Sequence, residues 1–295
     1  MRSVFRFIAY FVLAFVGALL VAGLVGYLES ERKINATYDI AAAGLSIPTD
    51  TASITEGQRL VAIRGCPDCH TGDLGGGLFF DGGPMGTYHA ANITPGQGSA
   101  VAAYTADDWE RAIRHGVEPE GTGILLMPSN DYAGLSNEDT ARMIAYLQTV
   151  PPVDRSVPDS TVGPLGRLLV GFGVFPLPAS LIDHDAPPPE RVTAEVSPAF
   201  GAYLSTSCIG CHQPDFSGGP VPGAQPGDPP AANLTLSGNP GNWTEEQFIE
   251  TLRTGITPEG KVLDPAQMPW PVGAQMTDVE LKALWAYLQS LPPAG

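Results

Sequence analysis

The apolar positions are distributed very unevenly along the chain. Residues 7–28, FIAYFVLAFVGALLVAGLVGYL, carry no charge. As a helix they span roughly 30 Å, the thickness of one hydrocarbon core. Arg2 and Arg6 precede the stretch, and Glu29, Glu31, Arg32 and Lys33 follow it. A basic flank ahead of the apolar run favours an N-terminus left in the cytoplasm and a body exported across the membrane. A cleaved signal peptide is the rival reading, but its apolar region is usually about 7–15 residues. The expectation is therefore an uncleaved anchor over residues 1–33.

Beyond it the pattern is that of short amphipathic helices, and no convincing period-2 run appears. Helix starts are marked by Thr55 with Gln58, Thr105 with Asp108, Ser136 with Asp139, Thr244 with Gln247 and Thr277 with Glu280. These are capping-box spacings, with Asp the weaker version. Ser197 can cap a further helix that has Pro198 at its first position. Glycine- and proline-rich loops, GDLGGGLFFDGGPMG and PDFSGGPVPGAQPGDPP, join the helices. Residues 153–193 are rich in proline, with an apolar middle, GRLLVGFGVFPLPASLI. Arg167, Pro176 and Pro178 argue against a second span there. A short helix packed on a neighbouring domain or on a partner is expected.

The body repeats itself. CPDCH at Cys66 is matched by CIGCH at Cys208, NIT at Asn92 by NLT at Asn233, and RHGVEPEG at Arg114 by RTGITPEG at Arg253. Met127-Pro128 is matched by Met268-Pro269, and AYLQTVPP at Ala145 by AYLQSLPP at Ala286. The partners stand about 140 residues apart throughout, so the body is two copies of one domain of about 100 residues. The expected domains are residues 53–152 and 194–293, with 153–193 as the connector.

Composition narrows the chemistry. The chain has 295 residues and a formal net charge of −16, from 31 acidic and 15 basic residues. Such acidity argues against a nucleic-acid or anionic-lipid partner surface and permits docking on a basic protein patch, or serves only to keep the protein soluble. All four cysteines, Cys66, Cys69, Cys208 and Cys211, fall in the two CxxC pairs. A CxxC pair can hold zinc, cycle as a dithiol or anchor a haem. Zinc would need all four thiols at one ion, and a repeat boundary separates the pairs. A redox dithiol calls for a βαβ setting, which is missing. Haem attachment needs a histidine directly after the second cysteine, and His70 and His212 supply it in both copies. Cys66 and Cys69 are thus expected to hold one covalent haem c, and Cys208 and Cys211 a second.

His70 and His212 then give each iron one axial ligand. The equivalent Met127 and Met268 are the expected second ligands, because a thioether is soft and favours reduced iron. Met85, Met143 and Met276 have no counterpart in the other copy and read as packing residues. His89, His115 and His184 are likewise unrepeated and read as loop or surface residues. Arg114 and Arg253 suit either a haem propionate or a helix surface. Asn92 and Asn233 suit either a propionate or a turn.

Each half resembles a class I cytochrome c domain: helix, CxxCH, long loop, Met-Pro and a last helix ending in YLxxxPP. The pair, with NITP at Asn92, MPW at Met268 and the N-terminal anchor, resembles the membrane-bound dihaem cytochromes c. These include the cytochrome subunits of bacterial periplasmic dehydrogenases. The resemblance implies an all-α chain, a transmembrane helix followed by two tandem cytochrome c domains. It also implies an electron carrier rather than an enzyme, exchanging electrons with a redox-protein donor and acceptor outside the cytoplasmic membrane. A dihaem peroxidase is the alternative, and the paired methionines speak against the open iron it requires.

Overall fold

The computed structural model describes residues 2–221, 224 and 227–294. The second proline-rich loop therefore lies partly outside the described residues, at Pro222, Gly223, Gln225 and Pro226. In chain order come α1 (Arg2–Ile34), α2 (Thr51–Ile63), α3 (Cys66–His70), β1 (Gly77–Asp81), β2 (Gly86–Ala90) and α4 (Ala106–Glu110). Next are α5 (Ser129–Tyr132), α6 (Asn137–Leu147), β3 (Thr161–Val162) and α7 (Pro164–Gly171). The second half adds α8 (Pro198–Leu204), α9 (Ile209–His212), α10 (Glu245–Thr254), α11 (Trp270–Gly273) and α12 (Asp278–Ser290). The chain packs into two compact units that do not follow the repeat boundary: Met1–Gly44, His70–Ala133 and Pro151–Ala186 form one, and Leu45–Cys69, Gly134–Val150 and Pro187–Gly295 the other.

Most helix starts sit where capping chemistry puts them. Thr105, Thr244 and Thr277 each form a complete capping box, with Asp108, Gln247 and Glu280. Aspartate is long enough for this at Thr105. At Ser136 only half of the box forms, because the Asp139 carboxylate accepts from Tyr203 Oη at 2.6 Å instead. Ser197 caps α8 and Pro198 opens it. The expected start at Thr55 is displaced: α2 begins at Thr51, and Asp50 caps it by accepting from the Ser53 amide at 2.9 Å.

In the first unit α1 is long and apolar enough to cross a membrane, and its apolar window is exposed all round. The connector helix α7 packs on the C-terminal end of α1, rather than on a haem domain or a separate partner as expected. A Cβ on Gly171 would stand 2.0 Å from the Gly26 carbonyl oxygen, so the backbones touch and only glycine fits. Lys33 Nζ donates to the carbonyls of Val170 and Gly171, both at 2.9 Å. Arg167 pairs with Glu31 and lies over the Tyr27 ring, 5.1 Å from its centroid.

The chain is not purely helical. β1, β2 and β3 form an antiparallel sheet in that order, with Gly77 opposite Ala90 and Gly86 opposite Val162. The expected glycine-rich loop thus contains a hairpin. A bulge between Leu78 and Phe80 and four glycines in the hairpin, Gly77, Gly82, Gly83 and Gly86, hide the period of two that marks a strand.

In the second unit two helix pairs carry the core: α2 crosses α6, and α8 crosses α12. Each crossing has a glycine at its closest point. A Cβ on Gly57 would stand 1.9 Å from the Arg142 carbonyl oxygen, and one on Gly201 2.0 Å from that of Ala283. Ile144, Leu281 and Ala283 are fully buried around these contacts. Glu280 on α12 receives a two-pronged bond from Arg59 on α2, at 2.8 and 2.9 Å.

Candidate haem sites

Each CxxCH motif forms a single helical turn, α3 in the first copy and α9 with the preceding tight turn Ser205–Cys208 in the second. Winding the motif as a helix puts its two thiols one turn apart on one face, with the histidine next to them. Burial pushes the Cys66 thiol up to about 12, helped by the neighbouring Cys69, and the Cys208 thiol up to about 11. Cys69 and Cys211 move in the same direction for the same reason. None of the four is a reactive thiolate, which is the opposite of what a dithiol redox centre needs.

Both histidines are oriented in the same way. His70 Nδ1 lies 2.8 Å from the Ala91 carbonyl oxygen, and His212 Nδ1 lies 2.8 Å from that of Ala232. A carbonyl can only accept, so Nδ1 carries the proton and Nε2 presents its lone pair. Burial lowers both imidazole pKa values, which keeps them neutral near pH 7. Neutral imidazole with its far nitrogen held by an outer partner is the form that ligates a metal.

The methionine loops are also built alike. Gly116, which ends the wider helical turn Arg111–His115 continuing from α4, and Gly255, which ends α10, are both in the left-handed conformation. A short bridge follows, Val117 with Gly123 and Ile256 with Val262. The chain then returns so that Ile124 donates to Gly116 and Leu263 to Gly255, both at 2.7 Å. Three residues after Ile124 comes Met127, five after Leu263 comes Met268, and each is followed by Pro and a one-turn helix, α5 or α11.

In the second copy Cys208, Cys211, His212 and Met268 line one cavity of about 280 Å3. Phe216, Phe248, Leu284 and Leu288 supply apolar wall. Trp243 joins them and donates from Nε1 to Glu259 at 2.9 Å. Two thiols and a tautomer-fixed imidazole are the set that covalent haem attachment uses, and the Met268 thioether lines the same mostly apolar cavity. In the first copy Cys66 and Cys69 pack with the second unit, and His70 and Met127 with the first.

The repeated polar residues serve the fold. Arg114 is buried and pairs with Glu110 at 2.6 Å, so it is not a helix-surface residue. Arg253 bonds the Ala274 carbonyl at 2.7 Å and Asp278 at 2.9 Å. Asn92 Oδ1 accepts from the amide and hydroxyl of Thr94, while its Nδ2 donates to the carbonyls of Val153 and Arg155. Asn233 repeats this with Thr235 and Ala294. The Asn-x-Thr motif is a clasp that ties the cofactor-side loop to the chain leaving the last helix. Glu110 was legible as an i,i+4 partner of Arg114 and needed only that spacing.

Among the unrepeated residues, His115 and His184 are not solitary: their Nδ1 atoms lie 3.0 Å apart, and His115 Nε2 is 3.4 Å from Glu110. Met143 and Met276 are core residues. Trp109 is buried against Tyr104, and Trp285 lies against Phe248. Among the described residues no group of three His, Cys, Asp or Glu side chains is placed to hold a metal ion by itself.

The cytochrome c family profile matches residues 199–292. That span runs from the second residue of α8 through α12. The chain is 26% identical to a diheme cytochrome c-type protein of Cereibacter sphaeroides, over 93% of this chain and 95% of that one. It is 28% identical to the fructose dehydrogenase cytochrome subunit of Gluconobacter japonicus, over 81% of this chain and 53% of that subunit. It is 29% identical to the cytochrome c subunit of a quinone-dependent alcohol dehydrogenase of Gluconacetobacter polyoxogenes, over 89% of this chain and 62% of that subunit. The chain thus spans only about half to three-fifths of the length of these dehydrogenase subunits.

Proposed function

We propose that this protein is a membrane-anchored dihaem c-type cytochrome that passes single electrons between redox proteins on the outer face of the cytoplasmic membrane. The observation that carries the reading is the shared cavity of Cys208, Cys211, His212 and Met268. Each of residues 53–152 and 194–293 makes one haem domain. Cys66, Cys69, His70 and Met127 would hold the first haem, and Cys208, Cys211, His212 and Met268 the second.

The bound haem supplies reversible one-electron chemistry at its iron. The chain's own residues set the conditions for it. Ala91 and Ala232 fix the proximal histidines in one tautomer and one orientation. Met127 and Met268 would favour the reduced metal, and the apolar wall of the second cavity would raise the potential there further. A carrier needs both axial positions closed and little rearrangement on electron transfer, and a His/Met pair on both sides meets that need. The likeness to cytochrome subunits of dehydrogenases supports a dehydrogenase or respiratory complex as redox partner, with α1 leaving its N-terminus in the cytoplasm.

The test is a haem and thiol count on detergent-purified full-length protein with its optical spectrum. The expected result is two covalent haems per chain, no free thiol, and two low-spin irons. Four titratable thiols, or a high-spin iron that turns over peroxide, would overturn the reading.

A further inference from the structure

α7 and the segment after it leave an apolar surface beside the anchor. Phe172, Gly173, Val174, Phe175 and Pro176 are all exposed, with no polar side chain among them. Phe172 is 58% and Val174 70% exposed. The segment sits at a defined height. Gly26, where the Phe172 ring packs, is two residues inside the end of the apolar stretch at Leu28, about 3 Å along the helix axis. The ring atoms stand 3.0 Å from where a Cβ on Gly26 would be.

The backbone of the segment asks little of water. The amides of Phe172, Gly173, Val174 and Phe175 all donate internally, to Leu168, Val170 and twice to Leu169, at 2.9 to 3.1 Å. Pro176 has no amide hydrogen. Lys33 takes the carbonyls of Val170 and Gly171 at the end of α7. A segment whose donors are satisfied within the chain can enter hydrocarbon at little cost, and one that leaves them open cannot.

We infer that the Phe172–Pro176 segment dips into the bilayer beside α1, as a second, interfacial contact with lipid on the side of the haem domains. This rests on α1 spanning the membrane. The apolar patch meets α1 at the buried Gly26, next to the exposed Val25 and Leu28, and this continuity favours acyl chains over a protein partner. A single helix can swivel and tilt freely. Anchor and wedge together, locked by Gly26 against Gly171 and by Arg167 with Glu31 and Tyr27, fix how the first unit stands on the membrane.

Photocrosslinking in native membranes tests it. The full chain is made with p-benzoylphenylalanine in place of Phe172, Val174, Leu28 or Glu120, irradiated, and its adducts weighed. Phe172→p-benzoylphenylalanine and Val174→p-benzoylphenylalanine should give phospholipid adducts in yields within about threefold of Leu28→p-benzoylphenylalanine, and at least tenfold above the exposed Glu120 position. Lipid adducts at Leu28 with none at 172 and 174 would overturn the wedge and leave the anchor standing. Adducts at 172 and 174 with another protein or a second copy would overturn it in favour of a protein interface. No lipid adduct even at Leu28 would remove the anchor and the wedge together.

Discussion

Asn233 donates from Nδ2 to the Ala294 carbonyl at 2.6 Å, and the Ala294 amide donates back to Thr235 Oγ1 at 3.1 Å. The same exchange links Asn92 and Thr94 with Val153, where the returning bond is 2.9 Å. In each copy this clasp closes the loop that begins one residue after the carbonyl holding the histidine. Asn92 is 1% exposed, so its amide has no water to turn to. Asn92→Ala and Asn233→Ala should each cost about 1–3 kcal/mol, the penalty for stranding buried backbone groups. Denaturant unfolding in detergent would read it, with the more deeply buried Asn92 the costlier of the two.

The proposed ligands separate cleanly by site. Met268→Ala should turn one of two haems high-spin, or admit another ligand, while the other keeps its methionine–iron band. Met127→Ala should do the same to the other haem. Cys208→Ala with Cys211→Ala should lower the covalent haem count from two to one. Unchanged spectra in both methionine variants would mean that other groups close the irons.

The contact between anchor and connector is steric. Gly171→Leu puts a side chain where the Gly26 carbonyl already lies, 2.0 Å from the first added carbon. Overpacking of this kind costs about 1–3 kcal/mol. The expected sign is faster proteolysis at Arg167 in detergent micelles, with haem content and spectrum unchanged.

Glu110 and Arg114 form a buried pair, each side chain 1% exposed. Burial opposes ionisation of Glu110, but the His115 contact and the Arg114 guanidinium outweigh it and hold the carboxyl below its ordinary value. A carboxyl depressed in the fold adds stability that is complete above its unfolded pKa and is lost as pH falls through the folded one. Glu110→Gln should therefore cost about 3–5 kcal/mol near neutral pH, because it leaves a buried guanidinium without its counter-charge. The gap between variant and parent should shrink as pH drops below the ordinary carboxylate range. A gap that stays constant with pH would show that the pair is not ionic.

Much of the site was readable from residues close together in the chain. CxxCH at Cys66 and Cys208 brings thiols and imidazole within one helical turn, so the spacing alone carries the chemistry. The anchor is a matter of length and charge, and the starts at Thr105, Thr244 and Thr277 depend on residues three apart. The hairpin at Gly77–Ala90 was not readable, because glycines and a bulge break its alternation and its third strand comes from the connector. The start at Thr51 was missed because Asp50 caps through Ser53, without the Glu or Gln that completes a box.

The two cysteine motifs, their histidines, the repeat and the apolar first helix were settled by sequence, since each depends on local spacing or on a count. Partners far apart in the chain were not. That Gly26 meets Gly171, that Asn233 reaches Ala294, that Arg59 on α2 grips Glu280 on α12, and that Cys208 and Met268 face one cavity all follow from how the helices cross. Close packing admits one arrangement of those crossings, and no window of neighbouring residues contains it.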